Sequence, residues 1–552
     1  MPPDLPFQRA QMLVRLEAES FDVLVVGAGI TGAGVALDAA SRGLRTALVE
    51  RDDFASGTSS KSSKMVHGGL RYLQQGEVKL VYQALRERRR LFDNAPHLVK
   101  VLPFMIPILT KDGVVSRKIA RALGSAMWMY DITGGWRIGK LHRRLKKDAA
   151  FAHLPVMRRE RLASAYLYYD ASVDDARLVL TVARTAVGHG AVVANRCSVV
   201  DVVHGTTGAV EGAVVRADGR RFTVRAKVVV NAGGVWADDV RALDEGTHPD
   251  SIRPAKGVHV TVPWHKVPCD IAVVIPVPKD RRSLFLVPWG PTPGGTFQHT
   301  YIGTTDTDHH GSLDDAQCTQ DDIEYVLRAV NASITTTVTA ADITGVWAGL
   351  RPLVKAEAAG RTADLSRNHS LHRSDRGVFT ITGGKLTTYR DMAEDTVDAV
   401  AAQLGRKVRC RTKRLKLLGA HARGELPAGS RAAHLDGRYG SLATEIEAII
   451  AGDPSLAEPL VPGLAYTRAE AVYAARCEMV TTLDDVLSRR TRARLFDRAA
   501  AVAAAPAVAT LLAAELGWDA AEADRQLRHF LDLCAAEDAA ARTSIPAESS
   551  PS

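Results

Sequence analysis

Cysteine is scarce in this chain and follows no pattern. The six residues Cys197, Cys269, Cys318, Cys410, Cys477 and Cys534 lie far apart, with no CxxC among them. That excludes a zinc-binding or dithiol signature and suits a reducing compartment. A membrane-spanning run is also missing: the uncharged stretch Ala499 to Ala514 is broken by Pro506 and is shorter than the ~20 apolar residues a span needs. The first twenty residues have no apolar core and carry Asp4, Glu17 and Glu19, so a signal peptide is not expected. No metal-ligand cluster, nucleophile elbow, Walker lysine or internal repeat is present, which argues against metal-dependent, serine-hydrolase and P-loop chemistry. These absences predict a cytoplasmic protein. The net charge of +9, with pI about 9.2, leaves anionic lipid, nucleic acid and acidic substrates all open as partners.

The 552 residues make two or three domains the expectation, and 46% hydrophobic with 24% charged residues fits a globular protein with a full core. The segment "FDVLVVGAGITGAGVALDAASRGLRTALVE" reads as strand, glycine turn, helix and strand. The run Val23 to Val26 suits a strand buried on both faces. Gly27, Gly29 and Gly32 form a GxGxxG: the first turns tightly, the second admits a pyrophosphate, and the third packs helix on sheet. Ala33 to Ala40 continue as a helix whose N-terminus suits an anion, and Gly43 ends it. Glu50 closes the second strand, eighteen positions after Gly32, where an acid takes a ribose hydroxyl.

Two later strands also end in glycine pairs, Gly233-Gly234 and Gly383-Gly384. Between them "HVTVPW", "SLFLVPWG" and "TYIGTTDTD" predict a mostly antiparallel sheet. Beyond about 410 the pattern turns helical, and Thr467 to Glu470 forms a capping box. The final dozen residues are expected to be disordered.

"VVGAGITGAGVALDAASRGL", "GTSSKSSKMVHGGLRYL", "DDARLVL", "GTTDTD", "WAGLRPL" and "GGKLTTYRDMAED" occur in this order. Together they resemble the FAD-dependent glycerol-3-phosphate dehydrogenases, within the D-amino-acid-oxidase-like flavoproteins. "CEMVTTLDDVLSRRTRARLFD" resembles the family's C-terminal signature, so the likeness covers roughly residues 20 to 500. It implies an α/β protein: a Rossmann-like FAD-binding domain interleaved with a mostly antiparallel substrate domain, plus a C-terminal all-α domain. The implied boundaries are a leader (1–20), FAD-binding segments (about 21–100, 170–250 and 345–405), substrate or cap segments (about 100–170 and 250–345), a helical domain (406–540) and a tail (541–552).

By the same resemblance, Thr58, Ser59, Ser60, Ser63 and Lys64 lie near the FAD phosphates and ribityl chain. His67, Gly68 and Gly69 let the backbone lie flat beside the ring system, and the flavin is noncovalent, with no link to His67. Gly233, Gly383, Gly384, Leu386 and Thr387 complete the cofactor set. Arg71, Tyr72, Arg351, Lys385 and His259 are implied substrate ligands; Arg351, Lys385 and His259 are also the catalytic candidates. The base is left open between His259, Lys385 and a water. The implied reaction converts sn-glycerol 3-phosphate to dihydroxyacetone phosphate by hydride transfer to flavin N5, with electrons passed to a membrane quinone. The basic, aromatic-dotted stretch from Arg86 to Lys147 suits an anionic membrane surface on the inner face of the plasma membrane. A homodimer is left open, and no nucleic-acid partner is expected. Two alternatives stand beside this reading: an oxidase or dehydrogenase of another 2-hydroxy or 2-amino substrate on the same fold, and a non-enzymatic flavin-binding or nucleic-acid-associated protein.

Overall fold

The computed structural model describes residues 7–70, 77–110, 117–278, 280, 282–355, 369–421, 424 and 426–543, with the backbone alone for 117–123. Two sheets organise it. The first takes its centre from the apolar run after Glu19: strand Ser20–Val26 is buried on both faces from Phe21 onward. It pairs in parallel with Thr46–Val49 on one side and Arg220–Asn231 on the other. The parallel order extends to Val192–Ala194 and Phe379–Gly383, and an antiparallel strand, His369–Arg373, closes that edge. Parallel strands need helices on both faces. Here the helix Ile30–Ser41 packs between the helices Asp175–Gly188 and Tyr389–Gln403, and its alanine- and glycine-rich sequence lets all three approach closely.

The expected leader is part of this core. Helix Arg9–Ala18 buries Met12, Leu13 and Leu16 against the sheet, because its apolar residues fall on one face.

Among the described residues the second sheet has ten strands and is antiparallel apart from one pair, Ala272–Pro276 beside Lys100–Leu109. One of its two long ladders joins Ile252–Pro263 to Gly345–Val354. The latter strand, grouped by sequence with the flavin-binding segments, therefore hydrogen-bonds in the second sheet, as does the short Met65–Val66. Alternation explains the ladder: Val258, Val260 and Val262 bury one face, leaving His259 and Thr261 for the other.

The C-terminal region is helical, and Thr467 and Glu470 form the expected capping box. Helix Arg498–Leu516 runs through Pro506 and is, by length and composition, long and apolar enough to cross a membrane. Its buried face, including Ala501, Ala505, Val508 and Leu512, packs in the core of the helical domain. The tail expected to be disordered falls, from residue 544, outside the described residues.

Candidate active site

Where the two sheets meet, a cavity of about 220 Å³ opens at the N-terminus of helix Ile30–Ser41. The turn that places this helix requires glycine. A Cβ on Gly32 would sit 1.8 Å from the Gly27 carbonyl oxygen, and one on Gly27, whose φ is +97°, would sit 2.8 Å from that of Ala232. Gly29 is the residue before the helix, and Ile30 lines the cavity. The Ile30 N–H donates to Ser59 Oγ (2.9 Å), which ties the serine loop to the helix start. Glu50 lies beside the same turn and accepts from the Ala28 and Asp52 N–H groups at 2.6 and 2.9 Å. Burial pushes its carboxyl up to about 7, against the pull of these two bonds.

The serine loop forms one wall. Thr58, Ser59 and Ser63 line the cavity, as do Lys61 and Ser62, which sequence reasoning did not single out. Ser60 and Lys64 do not. Lys64 is buried, with Nζ donating to the Ser60 carbonyl and to Asp175 and lying 4.5 Å from the centre of the Trp347 ring. His67 lines the floor; its N–H donates to Thr387 Oγ1 (3.2 Å), whose hydroxyl donates back to the His67 carbonyl (3.4 Å). The next residue, Gly68, is not a cavity wall. Its N–H donates to Asp170, and a Cβ there would meet Leu85 at 2.3 Å and Tyr130 at 2.6 Å, so packing requires the glycine. Gly69, at φ +77°, leads into the segment 71–76. Arg71 and Tyr72, both expected substrate ligands, lie outside the described residues. Gly233 sits behind the dinucleotide turn, its N–H bonded to Asn231. Opposite the serine loop, Gly383 and Gly384 adopt successive left-handed conformations, and Lys385, Leu386 and Thr387 follow them along the cavity wall.

The second sheet supplies the reacting wall. His259 and Trp347 are cross-strand partners, and their rings stack at 4.7 Å with 8° between planes. His259 Nε2 is 2.9 Å from Ser63 Oγ. Burial, then the charges of Lys64 and Arg351, hold this imidazole well below its usual range, so it is neutral at physiological pH.

Arg351 reaches the cavity from strand Gly345–Val354, and its guanidinium donates to Asp306 Oδ1 (3.1 Å), Thr304 Oγ1 (3.2 Å) and the Thr305 carbonyl (3.3 Å). The "GTTD" segment, which had no role from sequence, is thus the cradle of this arginine. Opposite, Gly257 leaves room for it: a Cβ there would come within 2.6 Å of Arg351 Nη2. The three-dimensional partnership of Gly257, Thr304 and Arg351 has no local sequence signal, because each stands on a different strand or turn.

A glycine-built helix start, a hydroxyl-rich loop and a neutral imidazole beside an arginine fit a dinucleotide cofactor next to a small anionic substrate. Comparison with known proteins decides the family. A family model described as "FAD dependent oxidoreductase" matches residues 22–390, and one described as "C-terminal domain of alpha-glycerophosphate oxidase" matches residues 410–523. The chain is 42% identical over 549 residues to glycerol-3-phosphate dehydrogenase 2 of Mycobacterium tuberculosis, covering 96% of this chain and 91% of the relative. The chain belongs to the FAD-dependent glycerol-3-phosphate dehydrogenase family. The human mitochondrial glycerol-3-phosphate dehydrogenase is 37% identical, with 95% of this chain and 75% of that protein covered. Among solved structures, the FAD complex of the Bacillus halodurans glycerol-3-phosphate dehydrogenase superposes with a TM-score of 0.76 at 30% identity, covering 97% and 99% of the two chains.

As a member of this family the protein is an FAD-dependent oxidoreductase with the interleaved two-sheet fold and a helical C-terminal domain. The family signature in that last domain also gains a physical role. Arg490 forms a two-pronged pair with Asp53 beside the dinucleotide turn, Arg492 meets Asp174 and Asp175, and Glu478 takes Arg177. These residues lock the helical domain onto helix Asp175–Gly188 and onto the loop that follows strand Thr46–Val49.

Proposed function

We propose that the protein oxidises sn-glycerol 3-phosphate to dihydroxyacetone phosphate and passes the electrons to a membrane quinone. The carrying observation is His259, hydrogen-bonded to Ser63 and stacked on Trp347, beside the arginine cradle in the same cavity. FAD, bound noncovalently along the serine loop and the Gly383-Gly384 turn, supplies the hydride acceptor. The chain's own residues do the rest. Arg351 and Lys385 hold the anionic end of the substrate by charge-assisted bonds, and the fixed fork of Arg351 orients it. Ser63 donates its proton to His259 Nε2 as it takes the substrate hydroxyl proton, so the imidazole is the final base. The depressed pKa keeps the imidazole unprotonated and able to accept through neutral pH, at the cost of weaker basicity.

The purified protein should be yellow, release FAD on denaturation, and bleach when glycerol 3-phosphate is added without air. Bound FAD that fails to bleach with this substrate but bleaches with a 2-amino acid would move the reading to another substrate on the same fold. Rapid peroxide formation in air would replace the quinone with oxygen as acceptor.

The membrane part rests on one surface. Trp128, Met129 and Ile132 stand exposed on helix Arg117–Thr133, with Trp136 and Leu141 just beyond, and Ile132 is 76% accessible. Exposed Arg89, Lys140, Arg143, Arg144 and Lys146 accompany them. Aromatic and aliphatic groups ringed by cations suit the headgroup layer of an anionic bilayer. Anionic vesicles should float the protein, salt should weaken the binding, and Trp128→Ser with Ile132→Ser should weaken it further. Binding that ignores lipid charge, salt and both substitutions would discard this surface.

A further inference from the structure

Among the described residues the C-terminal helical domain contributes no wall to the cavity, yet its residues reach the loop that does. Arg492 is almost wholly buried and donates to Asp174 (2.7 and 3.0 Å) and to Asp175. Asp175 in turn grips the serine loop at three points: the Ser62 N–H (3.0 Å), the Ser62 hydroxyl (2.7 Å) and Lys64 Nζ (3.4 Å). The carbonyls of that loop are held from the substrate side, Ser62 by Trp347 Nε1 (3.2 Å) and Ser63 by the Tyr301 hydroxyl (3.0 Å). Between these two sets of bonds stands Ser63, 2.9 Å from His259 Nε2. The same helical domain also anchors the strands that carry His259 and Arg351. Thr261 donates to the Leu495 carbonyl, Thr344 to that of Phe496, and Phe496 stacks on Trp289 at 3.7 Å.

We propose that Arg492 is a positioning residue for the reaction: through Asp175 it fixes Ser62, Ser63 and Lys64, and so fixes the hydrogen bond and the charge that His259 meets. The inference rests on His259 being the base. An unpaired Asp175 would lose its hold on a single geometry, because one carboxylate would then answer to Lys64 and Ser62 without the opposing guanidinium. The charged and titratable groups around His259 are Lys64 from the loop, Arg351 from the paired strand and Tyr301 from strand Phe297–Gly303. Burial keeps the Tyr301 phenol protonated, and Asp306 lies on Arg351. Lys64 is thus the cation that Arg492 can regulate. With less net positive charge beside it, the imidazole protonates more readily, and the acid limb of the rate profile moves to higher pH.

The test uses the FAD-loaded full chain and kcat/KM for glycerol 3-phosphate from about pH 5 to about pH 9. Arg492→Met should lose about ten- to a hundredfold in kcat/KM and shift the acid limb upward, with FAD content unchanged. Arg492→Lys, which keeps the charge without the fork, should restore the limb's position more fully than the rate. Lys64→Met should shift the limb in the same direction, and it carries the test should Arg492→Met fail to hold FAD. An FAD-replete Arg492→Met or Lys64→Met with the unaltered pH profile overturns the inference. His259→Gln separates the two levels. If it keeps full activity, the assignment of the base fails; if it is inactive while the other profiles stay put, the role of Arg492 alone fails.

Discussion

At the scale of single residues, Glu50 joins sequence logic to a measurable pH effect. Its position after the second strand marks it for a ribose hydroxyl, and its two oxygens already accept the Ala28 and Asp52 N–H groups. Burial lifts its carboxyl to about 7, within reach of physiological pH. A hydroxyl donor favours the ionised acid, so cofactor binding must lower that value, and affinity must rise with pH up to it. Apoprotein titrated with FAD should bind more weakly at about pH 6 than at about pH 8, by at most tenfold per pH unit. Glu50→Gln should bind more weakly at the higher pH and lose this dependence. The same slope in Glu50→Gln would assign the effect to another group. Other single residues divide by how local their cause is. The fingerprint was legible because its turn is built within six positions, as the contact of Gly32 with the Gly27 carbonyl illustrates. The partner of Lys64 was not: the resemblance sets Lys64 near the cofactor, and nothing local names Asp175, which takes its ammonium from a different part of the chain.

At the scale of elements, the parallel strands and the helix between them could be read because apolar runs and glycine turns are local signals. Sheet membership could not. Strand Gly345–Val354 pairs residue by residue with Ile252–Pro263, nearly a hundred positions earlier, and nothing in either segment names the other. That ladder sets Arg351 across from Ala255, and its guanidinium reaches over the glycine of "KGVHV", two positions on. Gly257→Ala would set a methyl 2.6 Å from Arg351 Nη2 and 2.7 Å from Thr304 Oγ1, so the guanidinium must leave its cradle. The flavin-side elements are untouched. The expected outcome is a loss of about ten- to a hundredfold in kcat/KM for glycerol 3-phosphate, with FAD content and thermal stability near those of the parent. Parent-like kinetics in Gly257→Ala would mean that Arg351 does not need this position for substrate.

At the scale of the whole molecule, the helical domain is held to the dinucleotide-binding sheet by ion pairs whose partners are remote in sequence; Asp53 and Arg490 are 437 positions apart. Sequence reading recognised the signature that carries Arg489, Arg490 and Arg492 but could not name their acids. Asp53 accepts from Arg490 at 2.6 and 2.8 Å, from Arg489 at 2.7 Å and from Asn195 at 3.1 Å, and it is fully buried. Although burial opposes it, these two arginines hold the Asp53 carboxyl well below the usual range, as Arg492 and Arg438 do for Asp174. A carboxylate depressed on folding stabilises fully above its unfolded pKa, about 4, and loses that contribution as pH falls toward the folded value. The contribution of these two carboxylates to urea stability should therefore be level from neutral pH to about 5 and fall steeply below about 4. Asp53→Asn keeps the shape but leaves two buried guanidinium groups facing a neutral amide, at a cost of about 3–5 kcal/mol near pH 7. The gap between parent and variant should narrow toward about pH 3, because the parent alone loses the contribution of an ionised Asp53 there. Added salt should change little at neutral pH, since these charges lie out of reach of mobile ions. A variant as stable as the parent near pH 7 would show that the domains are joined by apolar packing, with the arginines neutralised by their remaining partners Asp484, Asp485 and Glu478.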